Sequence, residues 1–313
     1  FPYTTLFRSR VETRNISTPQ LIHEIADKLD ISRRSIGSAG LKDARAVARQ
    51  TLSVHGVSVK DVESLDLDQA RILWVTRHRN KLRAGHLRGN HFSVRIRDVV
   101  PEAEARASAI LQVLGARGVP NAYGPQRFGN REDNHILGFY LIHDDEEGLA
   151  SHGVHHLSRR LRRFFISALQ SALFNQVVAA RIEAGTMATV IRGDVAKKET
   201  TGGIFTVEDV AAERPRAEAW EISATGPIYG YKMMQAKDAA AVLESKVLAR
   251  AGLTPDSFRP VKARGLRRPL RYNPENAVHR IDEEGHLVVD FFAPKGSFAT
   301  MLLRELMKTD DVR

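Results

Sequence analysis

The sequence predicts a fold in which helices and strands are mixed, and three stretches predict it. Between Pro19 and Leu29 the apolar residues Leu21, Ile22, Ile25 and Leu29 share one helical face. In "NHFSVRIRDV", Phe92, Val94 and Ile96 alternate with Ser93, Arg95 and Arg97, as in a strand with one buried and one basic face. Near the carboxy terminus "HLVVDFFAP" reads as a strand, "KGS" as a turn and "FATMLLRELMKT" as a helix. At 313 residues the chain can hold one large domain or two, each with a substantial core.

Along the chain, the first nine residues, "FPYTTLFRS", look like the conceptual translation of a sequencing adapter. They are set aside as a scar, and the native start is expected to be missing. Thr18 is placed to cap the first helix, with Pro19 at its first position. The chain turns through "GSAG"; "ARAVARQ" is a short helix-permissive segment, and "TLSVHGVSV" returns to strand-like alternation. Residues 102–116 read as a helix with Ile110, Leu111 and Leu114 inward, and "RGVPNAYGPQRFGN" as a structured loop, since its Gly and Pro break all periodicity. A long apolar stripe then follows Arg159, Arg160, Arg162 and Arg163, with His155 and His156 expected on the surface of that helical block. From Arg192 to Tyr272 the periodicity is weak. No internal repeat is present.

Charge narrows the function. There are 47 Lys and Arg against 37 Asp and Glu, a net charge of +10, and 35 of the cations are Arg. The planar guanidinium holds phosphate bidentately and stacks on bases, so the balance favours a nucleic-acid partner. From Gln69 to Arg97 eight cations occur without one acid. A second basic cluster comprises Arg259, Lys262, Arg264, Arg267, Arg268 and Arg271. The absence of Cys removes disulfides, thiolate metal sites and thiol nucleophiles, and with them the uracil C5 methyltransferases that attack through Cys. No phosphate-cradling G-x-G-x-x-G or G-x-x-x-x-G-K-[ST] occurs, nor an H-E-x-x-H. No apolar run approaches a membrane span.

The stretch "SAGLKDARAVARQ" places Asp43 behind Ala39-Gly40 and beside Lys42 and Arg45. As a structural residue it would cap a short helix starting at Ala44, a common role for Asp after a Gly-containing turn. As a chemical group it would stay ionised near helix amides and cations, ready to act as nucleophile or base. Pattern alone leaves both open.

"AGLKDARAVARQ" is similar to the Gly-x-Lys-Asp signature of the TruD family of tRNA pseudouridine synthases. "VPNAYGPQRFG" resembles that family's Asn-aromatic-Gly-x-Gln-Arg-Phe-Gly motif, "SALQSALFNQVVAARI" its Ser-Ala-Leu-Phe-Asn helix, and "PKGSFATMLLREL" its Gly-Ser-Phe-Ala-Thr motif. The four occur in the family's order, from Arg10 to the end.

The resemblance implies an α+β fold: a mixed, largely antiparallel sheet with flanking helices, interrupted by an inserted α/β TRUD domain. The catalytic domain would span residues 10–154 and 273–313, the insertion 155–272. Asp43 falls on the catalytic aspartate, Asn121 on the active-site Asn, and Phe298 on an aromatic of the uridine pocket. Tyr123, Lys42, Gln126 and Arg127 would shape the substrate site. Arg77, Arg79, Lys81, Arg83 and Arg88 would grip RNA, as would the Arg159–Arg163 and Arg259–Arg271 groups. The implied activity isomerises uridine 13 of the tRNA D arm without cofactor or metal, in a cytoplasmic, monomeric protein with no protein partner; the alternative is a non-catalytic RNA-binding protein. Two departures stand out. Ala122 replaces the first of two consecutive aromatics, and the family's first strand with its Lys and E-D-F segment has no counterpart, so one wall of the pocket is expected to be missing.

Overall fold

The computed structural model describes residues 6–309, and the chain divides between Arg88 and Gly89 into two units. In the first, β1 (Leu6–Arg14) lies between β3 (Val47–His55) and β4 (Ala70–Arg77), with β2 (Ile36–Ser38) beyond β3, and all pairings are antiparallel. Residues 1–5 of the adapter-like stretch lie outside the described residues. Leu6 to Ser9, also set aside in the sequence, form the start of β1, and Phe7 is 1% exposed.

Helix α1 (Thr18–Lys28) covers one face of this sheet, packing Leu21, Ile25 and Ala26 against Val11, Leu52 and Val54. Its cap is Ser17 rather than Thr18: Ser17 and Gln20 form a reciprocal capping box. A second short helix, α2 (Val59–Glu63), is capped in the same way by Ser58 and Asp61.

The segment "ARAVARQ" is the clearest departure from expectation. It is not a helix; β3 begins at Val47 and pairs with β1 over nine residues, from Arg14↔Val47 to Leu6↔His55. Seven helix-permissive residues cannot offset the nucleation cost of an isolated helix, whereas the ladder buries Ala48, Leu52 and Val54. The face of the sheet away from α1 has an electrostatic centre. Glu12, 4% exposed, stands directly opposite Arg49 and Arg71. It accepts from Arg49 Nε at 2.7 Å and pairs with Arg71 at 3.2 Å. These bonds, the Arg49 one foremost, hold its pKa below the usual glutamate value.

The second unit contains β5 (Gly89–Ile96), α3 (Ala103–Arg117), β6 (Val119–Pro120), α4 (Asn134–His143), α5 (Glu146–Ser151) and α6 (Arg159–Glu183). There follow β7 (Val195–Lys198), β8 (Ile204–Thr206), α7 (Val210–Glu218), β9 (Ile222–Ile228) and α8 (Asp238–Arg250). The chain ends with β10 (Leu266–Pro269), β11 (Arg271–Tyr272), β12 (Glu275–Ile281), β13 (Leu287–Pro294) and α9 (Ala299–Met307). One antiparallel sheet runs β12-β13-β5, another β10-β9-β7-β8, and a short pair joins β11 to β6. The α+β class holds, with the strands distributed over separate antiparallel sheets. In β5 the half-buried Phe92, Val94 and Ile96 alternate with exposed residues as its sequence predicts, and α6 and α9 lie where their stripes put them. His155 and His156 are exposed but sit on the loop before α6, which Ser158 caps through the Leu161 N–H.

One core runs through both larger sheets, including Leu111 of α3, Phe174 of α6, Val247 of α8, Val289 and Phe291 of β13, and Leu302 of α9. A buried ion pair is set into it. Arg181, 2% exposed, donates to both Asp194 oxygens at 2.8 and 3.0 Å and to the Thr186 and Thr189 carbonyls, and Asp194 accepts again from the Ile191 N–H. Among the described residues no helix is long and apolar enough to cross a membrane.

Two outcomes follow from these charges. Asp194→Ala strands a buried guanidinium and should cost about 3–5 kcal/mol, read as a lowered denaturant midpoint, while Asp194→Asn should cost less. Glu12 has a depressed folded pKa, so its contribution is full above its ordinary value of 4.5 and is lost as pH falls through the lower folded value. Melting temperatures in that acidic range should therefore fall more steeply for the wild type than for Glu12→Gln.

Candidate active site

Asp43 lies on the loop between β2 and β3, outside any helix. Its expected capping role is thus absent: no helix starts at Ala44, and the side chain is exposed. The loop is nevertheless pinned. The Lys42 N–H donates to the Thr18 hydroxyl at 2.8 Å, the Ala39 carbonyl accepts from the Gly85 N–H at 2.7 Å, and the Ala46 carbonyl from Asn15 at 3.3 Å. The Thr18 hydroxyl in turn donates to Gln50. A Cβ on Gly40 would meet only Leu87 Cδ2 at 4.0 Å, so packing within the fold does not require glycine there. Lys42 is partly buried, and this burial, with Arg10 adding to it and Asp43 opposing, lowers its pKa from the ordinary lysine value. A tethered loop thus presents an exposed carboxylate beside a cation that is poorly solvated.

In the second unit the structure brings together Asn121, Tyr123, Gln126, Arg127 and Phe298. The β11–β6 pair sets Arg271 opposite Pro120 and Tyr272 opposite Val119, which delivers the loop after β6 to the end of β10. Asn121, 4% exposed, donates from its N–H to the Leu270 carbonyl at 2.8 Å and from Nδ2 to the Pro269 carbonyl at 3.0 Å. Its backbone and side-chain oxygens both accept from Arg268, at 3.0 and 2.7 Å from Nη2 and 3.2 Å from Nε. The same guanidinium lies 4.3 Å from the Tyr123 ring centroid, 5.4 Å from that of Phe174 and 5.8 Å from that of Phe298.

The aromatic rings form a wall. Tyr123 and Phe298 are 5.4 Å apart and tilted by 53°, and Tyr123 meets Phe174 edge-on at 5.9 Å. Phe298 stands at the cap position of α9, where its carbonyl accepts from the Tyr272 hydroxyl at 3.0 Å. Asn175 of α6 locks the backbone of Tyr123 in both directions: its oxygen accepts from the Tyr123 N–H and its Nδ2 donates to the Tyr123 carbonyl, each at 2.8 Å. Gln126 donates to the Thr300 hydroxyl at 3.4 Å. Arg127 donates to Ser171 at 3.1 Å and to Ser167, and burial lowers its pKa from the usual arginine value. Ala122, in the place of an aromatic, packs into the core.

Arg268 is the residue that the sequence reading misplaced. Counted among surface cations, it is largely withdrawn from water, which lowers its pKa against the opposing influence of Tyr123. Its neighbours are withdrawn as well. The Arg267 side chain is 1% exposed and clasps Glu244 at 2.6 and 2.9 Å, and Arg271 is 3% exposed. Of that cluster, Arg259, Lys262 and Arg264 remain exposed. Alternation could have flagged the others, since "LRRPLRY" is strand-like and its arginines had to fall partly inward. By contrast Arg77, Arg79, Lys81, Arg83 and Arg88 are all exposed, as are Arg159, Arg160, Arg162 and Arg163.

An aromatic wall backed by a fixed cation suits a planar, electron-rich ring, and stacking of a base on such a surface is worth about 1–3 kcal/mol. Among the described residues no group of three or more His, Asp or Glu is placed to hold a metal ion.

Comparison with known proteins fits this geometry. The family model for tRNA pseudouridine synthase D (TruD) matches residues 4–154 and 146–306. The tRNA pseudouridine synthase D of Geobacter metallireducens is 38% identical over 95% of this chain and 87% of its own length. That of Thermus thermophilus is 43% identical over 96% and 81%. A solved structure from Methanosarcina mazei, described as a tRNA pseudouridine synthase D, superposes with a TM-score of 0.81 at 24% identity, covering 97% of this chain and 88% of that one, which is a likeness of fold. With matches of this extent to the family model and to its curated members, the chain belongs to the tRNA pseudouridine synthase D family.

Proposed function

We propose that this chain is a tRNA pseudouridine synthase that isomerises uridine 13 of the D arm, with Asp43 as its catalytic carboxylate. The observation that carries the site assignment is the interlock of Asn121, Tyr123, Phe298 and Arg268, which joins family motifs far apart in sequence. Pseudouridine formation breaks the N1–C1′ bond, turns the uracil and rejoins it through C5 to C1′. Atoms and electrons balance without a redox partner or phosphate donor. The carboxylate of Asp43 either adds to the nucleotide or removes the C2′ proton, and both routes require it ionised. Tyr123 and Phe298 would hold the detached base by stacking while it turns, with Asn121 fixed beside them. Arg268, Gln126 and Arg127 would keep that wall in register.

The uridine leaves its stack at a cost of a few kcal/mol. Arg77, Arg79, Lys81, Arg83, Arg88 and Arg159 to Arg163 would offset this by gripping RNA phosphates, with the salt dependence such contacts impose. The sheet β10-β9-β7-β8 lies wholly within 155–272, which supports treating that segment as the inserted TRUD domain and 10–154 with 273–313 as the catalytic domain. A cytoplasmic monomer acting without cofactor completes the reading.

Asp43→Asn in the full chain should lower isomerisation by at least about a hundredfold while tRNA binding persists, measured by carbodiimide labelling and primer extension. Wild-type turnover in that variant would remove Asp43 from the mechanism. Arg268→Lys should keep the charge but lose the forked grip on Asn121 and the stack on Tyr123. We expect kcat to fall about tenfold or more, for a loss of roughly 1.5–3 kcal/mol per charged hydrogen bond, with a smaller change in KM.

A further inference from the structure

Beside Asn121 a cavity of about 310 Å³ opens, walled by Asn121, Lys197, Trp220, Arg268, Arg271 and Asn273, among others. Nothing in the interlock of Asn121, Tyr123 and Phe298 uses Trp220, yet the indole is held with unusual care. Its φ is +60°, a conformation rare for a bulky aromatic, and such strain persists only where the surroundings over-determine it. The Arg271 guanidinium lies 3.9 Å from the ring centroid and is itself fixed by donating to the carbonyls of Arg117, at 2.9 Å, and Ala217. Gly118, at φ +87°, leaves the room: a Cβ there would stand 2.7 Å from Trp220 Cη2 and 2.9 Å from Arg271 Cδ. Trp220 is therefore partly exposed but immobilised, with a cation on one ring face.

A rigid, cation-backed indole is a stacking platform, and stacking on it tolerates any base. The cavity wall adds an amide at Asn273, which can donate and accept at a base edge. Lys197 and Lys295 also line it, with Glu199 and Glu275 among them, while Arg268 and Arg271 are already engaged by carbonyls and rings. Its volume falls at the small end of ligand sites, roughly 300–1,000 Å³, which matches one nucleotide and excludes a duplex. A larger hollow shares Trp220 and Arg271, but Gly and Ala make up much of its wall, and it adds one cation, Arg117, against one acid, Glu218.

We propose that the cavity beside Asn121 is a second-nucleotide subsite, in which Trp220 stacks one unpaired base of the substrate RNA other than the target uridine. The proposal rests on the reading of this chain as a tRNA-modifying enzyme. The subsite would hold the RNA strand against the wall of the first site and so sharpen the choice of target.

The test uses the full chain carrying Trp74→Phe, which leaves Trp220 as its only tryptophan, with tRNA transcripts and a set of transcripts each lacking one unpaired base. Intact transcript should quench Trp220 fluorescence. One abasic transcript should bind, by anisotropy, without quenching. In parallel, Trp220→Ala should raise KM for intact transcript by roughly tenfold to a hundredfold, the equivalent of one lost stack, with little change in kcat. Trp220→Phe should recover much of that loss, and Trp220→Ala should add nothing on the abasic transcript. Bound RNA that leaves Trp220 unquenched, or quenching that no abasic position relieves, overturns the subsite. Pseudouridine formation by the Trp74→Phe chain with Trp220 unquenched sinks the subsite alone, whereas quenching in a chain that forms no pseudouridine sinks the catalytic reading alone.

Discussion

Without the Arg268 guanidinium, the backbone and side-chain oxygens of Asn121 would lose donors in a buried setting where an unmet acceptor is costly. The same group spans three rings from distant parts of the chain: Tyr123 after β6, Phe174 in α6 and Phe298 at α9. Taking a cation out of water is expensive, and among the described residues no carboxylate pairs with it; two carbonyl-type oxygens and the ring faces supply the compensation. Arginine alone can do this, because its planar fork bonds in-plane while its faces stack. The position of the aromatic wall depends on that double use of one side chain, with Asn175 fixing the Tyr123 backbone from the opposite side.

The first unit treats charge differently. Its acid at Glu12 is shielded and served by Arg49 and Arg71 from the neighbouring strands, so it is structural. Asp43 is exposed, on a loop whose backbone is pinned on both sides of it. Local hydrogen bonding thus holds the loop while the carboxylate is left uncommitted. That placement suits the catalytic role proposed for Asp43: positioned by its neighbours' backbone, not consumed by a cap or a core ion pair.

Much of this was legible in the sequence, and the failures have physical causes. Helices α1, α6 and α9 and strand β5 carry clear periodicities because each turns one side inward, whereas β13 reads as a strand from its dense run of Val and Phe. Strand β9, "ISATGPI", was not legible: buried along nearly its whole length, it alternates nothing, and its Gly and Pro imitate a turn. "ARAVARQ" is helix-permissive because Ala and Arg favour a helix, and only pairing with β1 decides for a strand. The site motifs were legible as motifs, but their hydrogen bonds were not, since Arg268 and Asn175 are ordinary surface and helix residues until the fold brings them to Asn121 and Tyr123.

The arginine excess also divides in a way composition hides. Arg181 and Arg267 are consumed by Asp194 and Glu244, Arg268 and Arg271 by carbonyls and rings, and Arg49 and Arg71 by Glu12. Arg181, Arg267 and Arg271 are almost dry and Arg268 is half-buried, so these four have little counterion to release on binding RNA. The cations left in water are exposed groups such as Arg77 to Arg88, from the end of β4 through the loop after it, and Arg159 to Arg163, at the first turns of α6. Cations at a helix N-terminus oppose the helix dipole, so Arg159, Arg160, Arg162 and Arg163 cost α6 some stability. An anion arriving there would relieve that repulsion, which makes the start of α6 a more favourable phosphate contact than its charge alone would indicate.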